Sequence, residues 1–137
     1  MASNKEVMSH FYDEINAGNL GVIDEVVAED VVEHDPTAPT PDRDGVRQFF
    51  TMARAAFPDM RFRVLQMVGE GDLVIAHALF EGTHEGDFMG MPPTHQHISV
   101  PCADIVRFRD GRAIEHWGVT DTGAMMQQLG VAPAAAG

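Results

Sequence analysis

Residues 95–121 read HQHISVPCADIVRFRDGRAIEHWGVTD, and they are the most informative part of the sequence about the fold. The pair Asp110-Gly111 lies between two segments in which apolar and polar residues alternate. Alternation of this kind is typical of half-buried strands, and Asp-Gly is a preferred two-residue hairpin turn. The stretch therefore predicts two long antiparallel strands joined by a tight turn.

The predicted register assigns side chains to the two faces of this hairpin. If Arg109 pairs with Arg112 and no irregularity follows, paired residues and every second residue share a face. The face with the only tryptophan is the more apolar one, and we expect it to point inward. It would contain Val100, Cys102, Asp104, Val106, Phe108, Ala113, Glu115, Trp117, Val119 and Asp121. A bulge would reverse this assignment for one strand.

The remainder of the chain predicts helices first and strands afterwards. Ser3 and Glu6 form a capping-box pattern ahead of a helix that runs to about Asn16. A short second helix follows Gly18, and a third is predicted from about Asp42 to Ala56. Residues 61–82 read as two more strands, with a Gly- and Pro-rich loop over 82–94. This order indicates an α+β fold, a curved and mostly antiparallel sheet around N-terminal helices. We expect one domain over 1–137, with residues 132–137 as a flexible tail.

Composition excludes several classes of partner. The chain has 21 acidic residues against 9 lysines and arginines, a net charge of −12. Nucleic acids and anionic membranes need basic surfaces, so neither is an expected partner. The single cysteine cannot form an intrachain disulfide, and no segment resembles a signal peptide or a membrane span. A cytoplasmic protein is therefore expected.

Two aspartates are candidates for proton transfer because the register places both on the apolar face. A carboxyl group held in an apolar cavity resists ionisation and can exchange protons near neutral pH. Asp121 has a structural alternative, since DTGAMMQQL begins a helix and Asp is a favoured N-cap. Asp104 could instead be a buried acid bonded to a Tyr, a Trp or a backbone N–H. The sequence leaves both alternatives open.

The sequence indicates a functional role less clearly for the histidines than for the two aspartates. His34 ends the apolar run VVEH and could hydrogen-bond a ligand carbonyl at the mouth of a cavity. His116 falls on the outer face in the predicted register, which indicates a surface or subunit contact. His95 and His97 share a strand face but have no third ligand, so we predict no metal site.

A family resemblance covers nearly the whole chain. Residues 81–130, EGTHEGDFMGMPPTHQHISVPCADIVRFRDGRAIEHWGVTDTGAMMQQLG, resemble the SnoaL-like polyketide cyclases, and residues 11–36 and 55–62 also fit. The resemblance implies a cone-shaped α+β barrel of the nuclear-transport-factor-2-like kind, usually dimeric through its sheet. In that family an Asp at the position of Asp121 is the general acid/base, and a polar residue at the position of His34 assists binding.

One departure from the family pattern concerns the strand before Asp121. The known cyclases carry a polar or imidazole side chain on the inner face of that strand. The predicted inner positions here are Glu115, Trp117 and Val119, so His116 would take this place only in a different register.

The expected function is a cofactor-independent enzyme that transfers protons during an intramolecular aldol closure of a small hydrophobic carbonyl compound. A hydrolase or isomerase using the same acid, or a non-catalytic ligand-binding module, are the alternatives. We expect a homodimer or a higher homo-oligomer. The predicted catalytic residues are Asp121, His34 and Asp104. The predicted substrate-binding residues are Trp117, Phe88, Met89, Phe50, Val119 and Cys102.

Overall fold

A computed structural model describes residues 2–131. The predicted tail, 132–137, lies outside the described residues. The helices are α1 (Asn4–Asn16), α2 (Val22–Val26), α3 (Arg43–Ala56) and α4 (Thr122–Leu129). The strands are β1 (Val27–Glu33), β2 (Arg61–Glu70), β3 (Leu73–Thr83), β4 (His97–Arg109) and β5 (Arg112–Thr120).

The five strands form one curved sheet in the order β1-β5-β4-β3-β2. Strands β2 to β5 pair antiparallel with their neighbours along the chain, as the two predicted hairpins require. Strand β1 instead pairs parallel with β5 at the sheet edge. The α+β class and the mostly antiparallel curved sheet are thus confirmed.

The predicted register of the β4–β5 hairpin is correct only next to the turn. Asp110 and Gly111 have φ of 53° and 76°, as the predicted two-residue turn requires, and Phe108 pairs with Ala113. Ile114 is then an extra residue in β5, a β-bulge, so that Arg107 pairs with Glu115.

The bulge moves the rest of β5 to the opposite face, because the side-chain period of a strand is two. Val106 therefore pairs with His116, and Asp104 pairs with Gly118. His116 faces inward, and Trp117 and Val119 face outward. The expectation that Trp117 and Val119 lie on the inner face was wrong.

The helices pack on the sheet and bury its inner face. Alternate residues of β3 and β4 form much of that face, including Val74, Ala76, Ala78, Ile98 and Val100, all nearly inaccessible. Helix α1 begins with the predicted Ser3–Glu6 capping box and buries Met8, Tyr12 and Ile15. Helix α3 begins after Asp42, whose carboxylate accepts a hydrogen bond from the Gly45 N–H. Among residues 2–131, no helix combines the length and the apolar character that a membrane span requires.

Candidate active site

An apolar cavity of about 200 Å³ lies between the helices and the inner face of the sheet. Aromatic and aliphatic side chains from every layer of the fold form most of its wall. These include Phe11 and Tyr12 of α1, Phe49 and Phe50 of α3, and Phe62, Phe80, Val106 and Phe108 of the sheet. Three acidic residues and one histidine stand out against this wall, namely Glu33, Asp35, Asp104 and His116.

His116 lies between two carboxylates at the polar end of the cavity. Its Nε2 is 2.8 Å from Asp104 Oδ1, and its Nδ1 is 2.6 Å from Glu33 Oε1. Asp104 reaches it from β4 across the antiparallel pair, while Glu33 reaches it from β1 across the parallel pair. Both ring nitrogens can act as donors only in the imidazolium form, which this arrangement favours.

The charge state of His116 follows from the balance of two effects. Burial lowers the pKa of the imidazole, but hydrogen bonds and charge interactions with Asp104 and Glu33 outweigh burial and raise the pKa to about 10. An opposite charge in hydrogen-bond contact favours the ionised form of a titrating group. At neutral pH the cavity therefore contains an imidazolium held by two acidic side chains.

Tyr12 provides the second contact to Asp104. Its hydroxyl group donates a hydrogen bond to Asp104 Oδ2, while Oδ1 faces His116. Burial, followed by the Asp104 charge, raises the pKa of Tyr12 far above its ordinary value, so the hydroxyl keeps its proton. Among residues 2–131, each oxygen of Asp104 thus has one hydrogen-bond partner, and each keeps a further lone pair.

Glu33 and Tyr12 were not predicted as site residues, although each has a local signal. Val31 and Glu33 are buried in β1 with the exposed Val32 between them, the alternation of a strand. Tyr12 follows Met8 by four positions, so both belong to the buried stripe of α1. What they contact depends on residues far along the chain, since 92 positions separate Tyr12 from Asp104.

The structure separates the three predicted catalytic residues. Asp104 lies in the cavity, on the face where the register placed it. His34 follows the buried Glu33 and faces the other side of the sheet, where its Nε2 is 2.8 Å from Glu115 Oε2. Its ring also stacks on Trp117, with centroids 4.9 Å apart.

Asp121 occupies the N-cap of α4. Its Oδ1 accepts a hydrogen bond from the Ala124 N–H at 2.9 Å, and the residue is exposed. Its side chain does not line the cavity, although the neighbouring Thr120 and Thr122 do. The structure therefore has the cap contact that the sequence left as the alternative.

Some of the predicted substrate-binding residues line the cavity, and the others lie outside it. Four of them line the cavity, namely Phe50, Phe88, Met89 and Cys102. Burial, followed by the charge of Asp104, raises the pKa of the Cys102 thiol to about 12, which keeps it a neutral wall residue. Trp117 and Val119 do not line the cavity, because the bulge at Ile114 turns them outward.

The arrangement can carry out proton transfer on an apolar ligand. Asp104 is held by an imidazolium and a phenol hydroxyl, and it faces a cavity with apolar walls. A carboxylate with lone pairs toward a ligand is a suitable general base, and fixed donors beside it stabilise negative charge.

The comparisons with known proteins agree with this fold. The family model described as SnoaL-like polyketide cyclase matches residues 6–129. No curated protein gives a significant match.

Solved structures give matches over nearly full length. Wild-type IdmH from Streptomyces antibioticus, a protein assigned as a polyketide cyclase, is 36% identical with a TM-score of 0.84, covering 95% of this chain and 100% of that one. A protein with the same assignment from Acidithiobacillus ferrooxidans is 31% identical with a TM-score of 0.80, covering 96% and 99%. TsrD from Streptomyces laurentii is 25% identical with a TM-score of 0.85, covering 93% and 94%. On this evidence the chain belongs to the SnoaL-like polyketide cyclase family.

Proposed function

We propose that this protein is a cofactor-independent enzyme that closes a ring in a hydrophobic carbonyl compound by an intramolecular aldol reaction. Asp104 is the proton-transferring residue of this proposal. The observation that supports it is the position of Asp104, between the imidazolium of His116 and the hydroxyl of Tyr12 at the polar end of an apolar cavity. The assignment of two relatives as polyketide cyclases also supports it.

Asp104 can accept a proton because His116 compensates its charge. An unpaired carboxylate in an apolar cavity is strongly disfavoured, whereas one in contact with an imidazolium is not. His116 itself does not exchange protons with a ligand in this scheme, since Asp104 and Glu33 occupy both of its ring nitrogens. It is a positioning residue that pairs with Asp104 and orients its carboxyl group.

One carboxyl group can accept and return the single proton that the reaction moves. Asp104 takes a proton from a carbon between two carbonyl groups, and the C–H bonding electrons remain on the resulting enolate. The enolate carbon attacks a third carbonyl carbon elsewhere in the same molecule, a C–C bond forms, and the π electrons of that carbonyl move to its oxygen. The protonated Asp104 then returns its proton to that alkoxide oxygen. The product is an isomer of the substrate, and the carboxylate is regenerated.

The test compares Asp104→Asn with Asp121→Asn on an aromatic polyketide ester that has an acidic CH₂ group between two carbonyls and a further ketone as the acceptor. Loss of the base is expected to reduce turnover by roughly 10²–10⁴-fold in Asp104→Asn. Asp121→Asn is the matched control, because Asn is also a favoured N-cap and preserves the helix. Full turnover in Asp104→Asn, or its loss in Asp121→Asn alone, would refute the assignment of Asp104.

The mass of the product distinguishes the aldol closure from hydrolysis of the ester. An aldol closure leaves the mass of the substrate unchanged, and hydrolysis of the ester adds one water across the cleaved bond. Isomerisation without ring closure also keeps the mass but is distinguished by its ¹H NMR spectrum. A ligand that binds and is recovered unchanged, with deuterium exchange at the acidic carbon no faster than in buffer alone, would indicate a non-catalytic binding module.

We also propose that the protein is a homodimer through the outer face of its sheet. Val68 and Val119 are each 61% exposed there, and Ile75 is 40% exposed. Exposed apolar side chains on one surface are typical of an interface. Sedimentation equilibrium is expected to give a dimer for the natural protein and a monomer for Val68→Asp/Val119→Asp. A monomeric natural protein would contradict the proposal.

A further inference from the structure

One carboxylate oxygen of Asp35, Oδ2, takes no part in the proposed aldol reaction. Its Oδ1 accepts hydrogen bonds from the Thr37 N–H at 3.0 Å and the Thr37 hydroxyl at 2.7 Å. Its own N–H donates to Glu33 Oε1 at 2.9 Å. These contacts fix the side chain and occupy Oδ1. Within residues 2–131, no side chain or backbone group donates a hydrogen bond to Oδ2.

Gly118 makes the position of this oxygen possible. A Cβ atom at residue 118 would lie 2.3 Å from Asp35 Oδ2, so any side chain there would displace the carboxylate from this position. The same Cβ would lie 3.3 Å from His116 Cε1. Because Gly118 pairs with Asp104 on the inner face, Asp35 Oδ2 lies over that face close to the catalytic group, and Asp35 lines the cavity.

The charges around the cavity indicate what this oxygen can bind. Three acidic side chains, Glu33, Asp35 and Asp104, line the cavity, and His116 is in hydrogen-bond contact with Glu33 and Asp104. Among residues 2–131, none of the side chains lining the cavity is a lysine or an arginine. Among residues 2–131, Asp35 has no cationic partner, and its carboxylate accepts hydrogen bonds from Thr37 alone, both on Oδ1. A ligand group that donates a hydrogen bond would satisfy Oδ2, and an anionic group would be repelled.

We propose that Asp35 Oδ2 is a specificity-determining contact that accepts a hydrogen bond from a hydroxyl group of the ligand, and that Gly118 creates the space for it. The inference rests on the proposed function, since it concerns the same cavity. It identifies the preferred ligand as a hydroxylated aromatic or enolic compound without a carboxylate at this end. A hydrogen bond to an ionised acceptor is among the stronger ones in proteins, so its loss is measurable.

The test uses a pair of probes that differ in one donor. The dissociation constants of 1-naphthol and 1-methoxynaphthalene are measured by isothermal titration calorimetry on the full chain. The natural protein is expected to bind 1-naphthol about tenfold or more tightly. Equal binding of the two probes, or no binding of either, would overturn the proposal. Amide chemical shift changes at Gly118 and Thr37 are expected with 1-naphthol, and their absence would likewise count against it.

Asp35→Asn reverses the polarity of this contact. The Asn Oδ1 can keep both hydrogen bonds from Thr37, and its NH₂ group replaces the free oxygen with a donor. The preference is expected to reverse, with 1-methoxynaphthalene bound at least as tightly as 1-naphthol. If Asp35→Asn keeps the natural preference, the proposal is wrong.

Two further variants separate this proposal from the proposed catalysis. Asp104→Asn is expected to lose turnover and to keep the preference for 1-naphthol, because it leaves Asp35 and Gly118 in place. Gly118→Ala is expected to lose the preference, because its methyl group displaces the carboxylate. The binding measurement needs no turnover, so it tests the Asp35 contact even if the protein does not catalyse the aldol reaction. The turnover measurement tests the aldol reaction even if Asp35 makes no contact with the ligand.

Discussion

Glu33 and His116 face each other across the parallel pair of strands β1 and β5, and Glu33 Oε1 lies 2.6 Å from His116 Nδ1. The contact joins residues 83 positions apart in the chain. It occupies the one ring nitrogen that Asp104 does not reach, and it therefore determines both the charge and the orientation of the imidazole. The titration of His116 and the stability of the protein at high pH depend on this contact.

The titration of His116 should make the protein less stable in alkali. Its folded pKa of about 10 is raised above the ordinary value of 6.5. The stability it contributes is complete below about pH 6.5 and is lost as pH rises toward 10, because the folded state then holds a proton that the unfolded state has released. Histidine NMR should show His116 protonated at pH 8, and urea denaturation should show the loss of stability.

Glu33→Gln should reduce this pH dependence, because removing one carboxylate lowers the pKa of His116. Glu70→Gln, an exposed substitution on β2, is the control and should leave the His116 titration unchanged. A His116 resonance that titrates near its ordinary pKa in the natural protein would contradict the ion-paired arrangement.

Tyr12→Phe should reduce turnover without unfolding the protein. The change removes the hydroxyl that donates to Asp104 Oδ2 and keeps the ring in the aromatic wall. A hydrogen bond to a charged group contributes about 1.5–3 kcal/mol, which corresponds to a loss of roughly tenfold to a hundredfold. Steady-state kinetics measures kcat, and thermal unfolding provides the stability control. Unchanged kcat would remove Tyr12 from the mechanism.

Asp121→Ala should destabilise the protein by about 1 kcal/mol through loss of the N-cap of α4. The helix buries Met125 and Leu129, so its fraying exposes part of the core. Chemical denaturation measures the effect. Asp121→Asn should be near the natural stability, and equal destabilisation by Asn and Ala would show that the carboxylate has another role.

His84→Ala should destabilise the protein by about 2–4 kcal/mol, as expected for truncation of a buried ring that also accepts a hydrogen bond. His84 is fully buried, stacks on Phe57 with centroids 5.3 Å apart, and its Nδ1 accepts from the Thr94 N–H at 3.2 Å. His10→Ala on the exposed face of α1 is the control and should change stability by less than about 0.5 kcal/mol. Denaturation midpoints compare the two variants, and equal values would refute the structural role.

The features predictable from sequence are those set by a few neighbouring residues. The Asp110-Gly111 turn follows from the positive φ angles that these residues tolerate, and the Ser3–Glu6 capping box from a spacing of three. The α+β class follows from the change of apolar period between the first and second halves of the chain. The position of Asp104 on the inner face follows from simple alternation along β4.

The rest of the site depends on contacts between segments that are far apart in the chain. A single extra residue, Ile114, placed His116 inside the cavity and Trp117 outside, and no local pattern in β5 indicates where such a bulge lies. The parallel pairing of β1 with β5 brought Glu33 to His116, and the packing of α1 brought Tyr12 to Asp104. Turns and caps depend on the backbone preferences of adjacent residues, whereas register and strand partnership depend on how the whole core packs, which no short segment determines by itself.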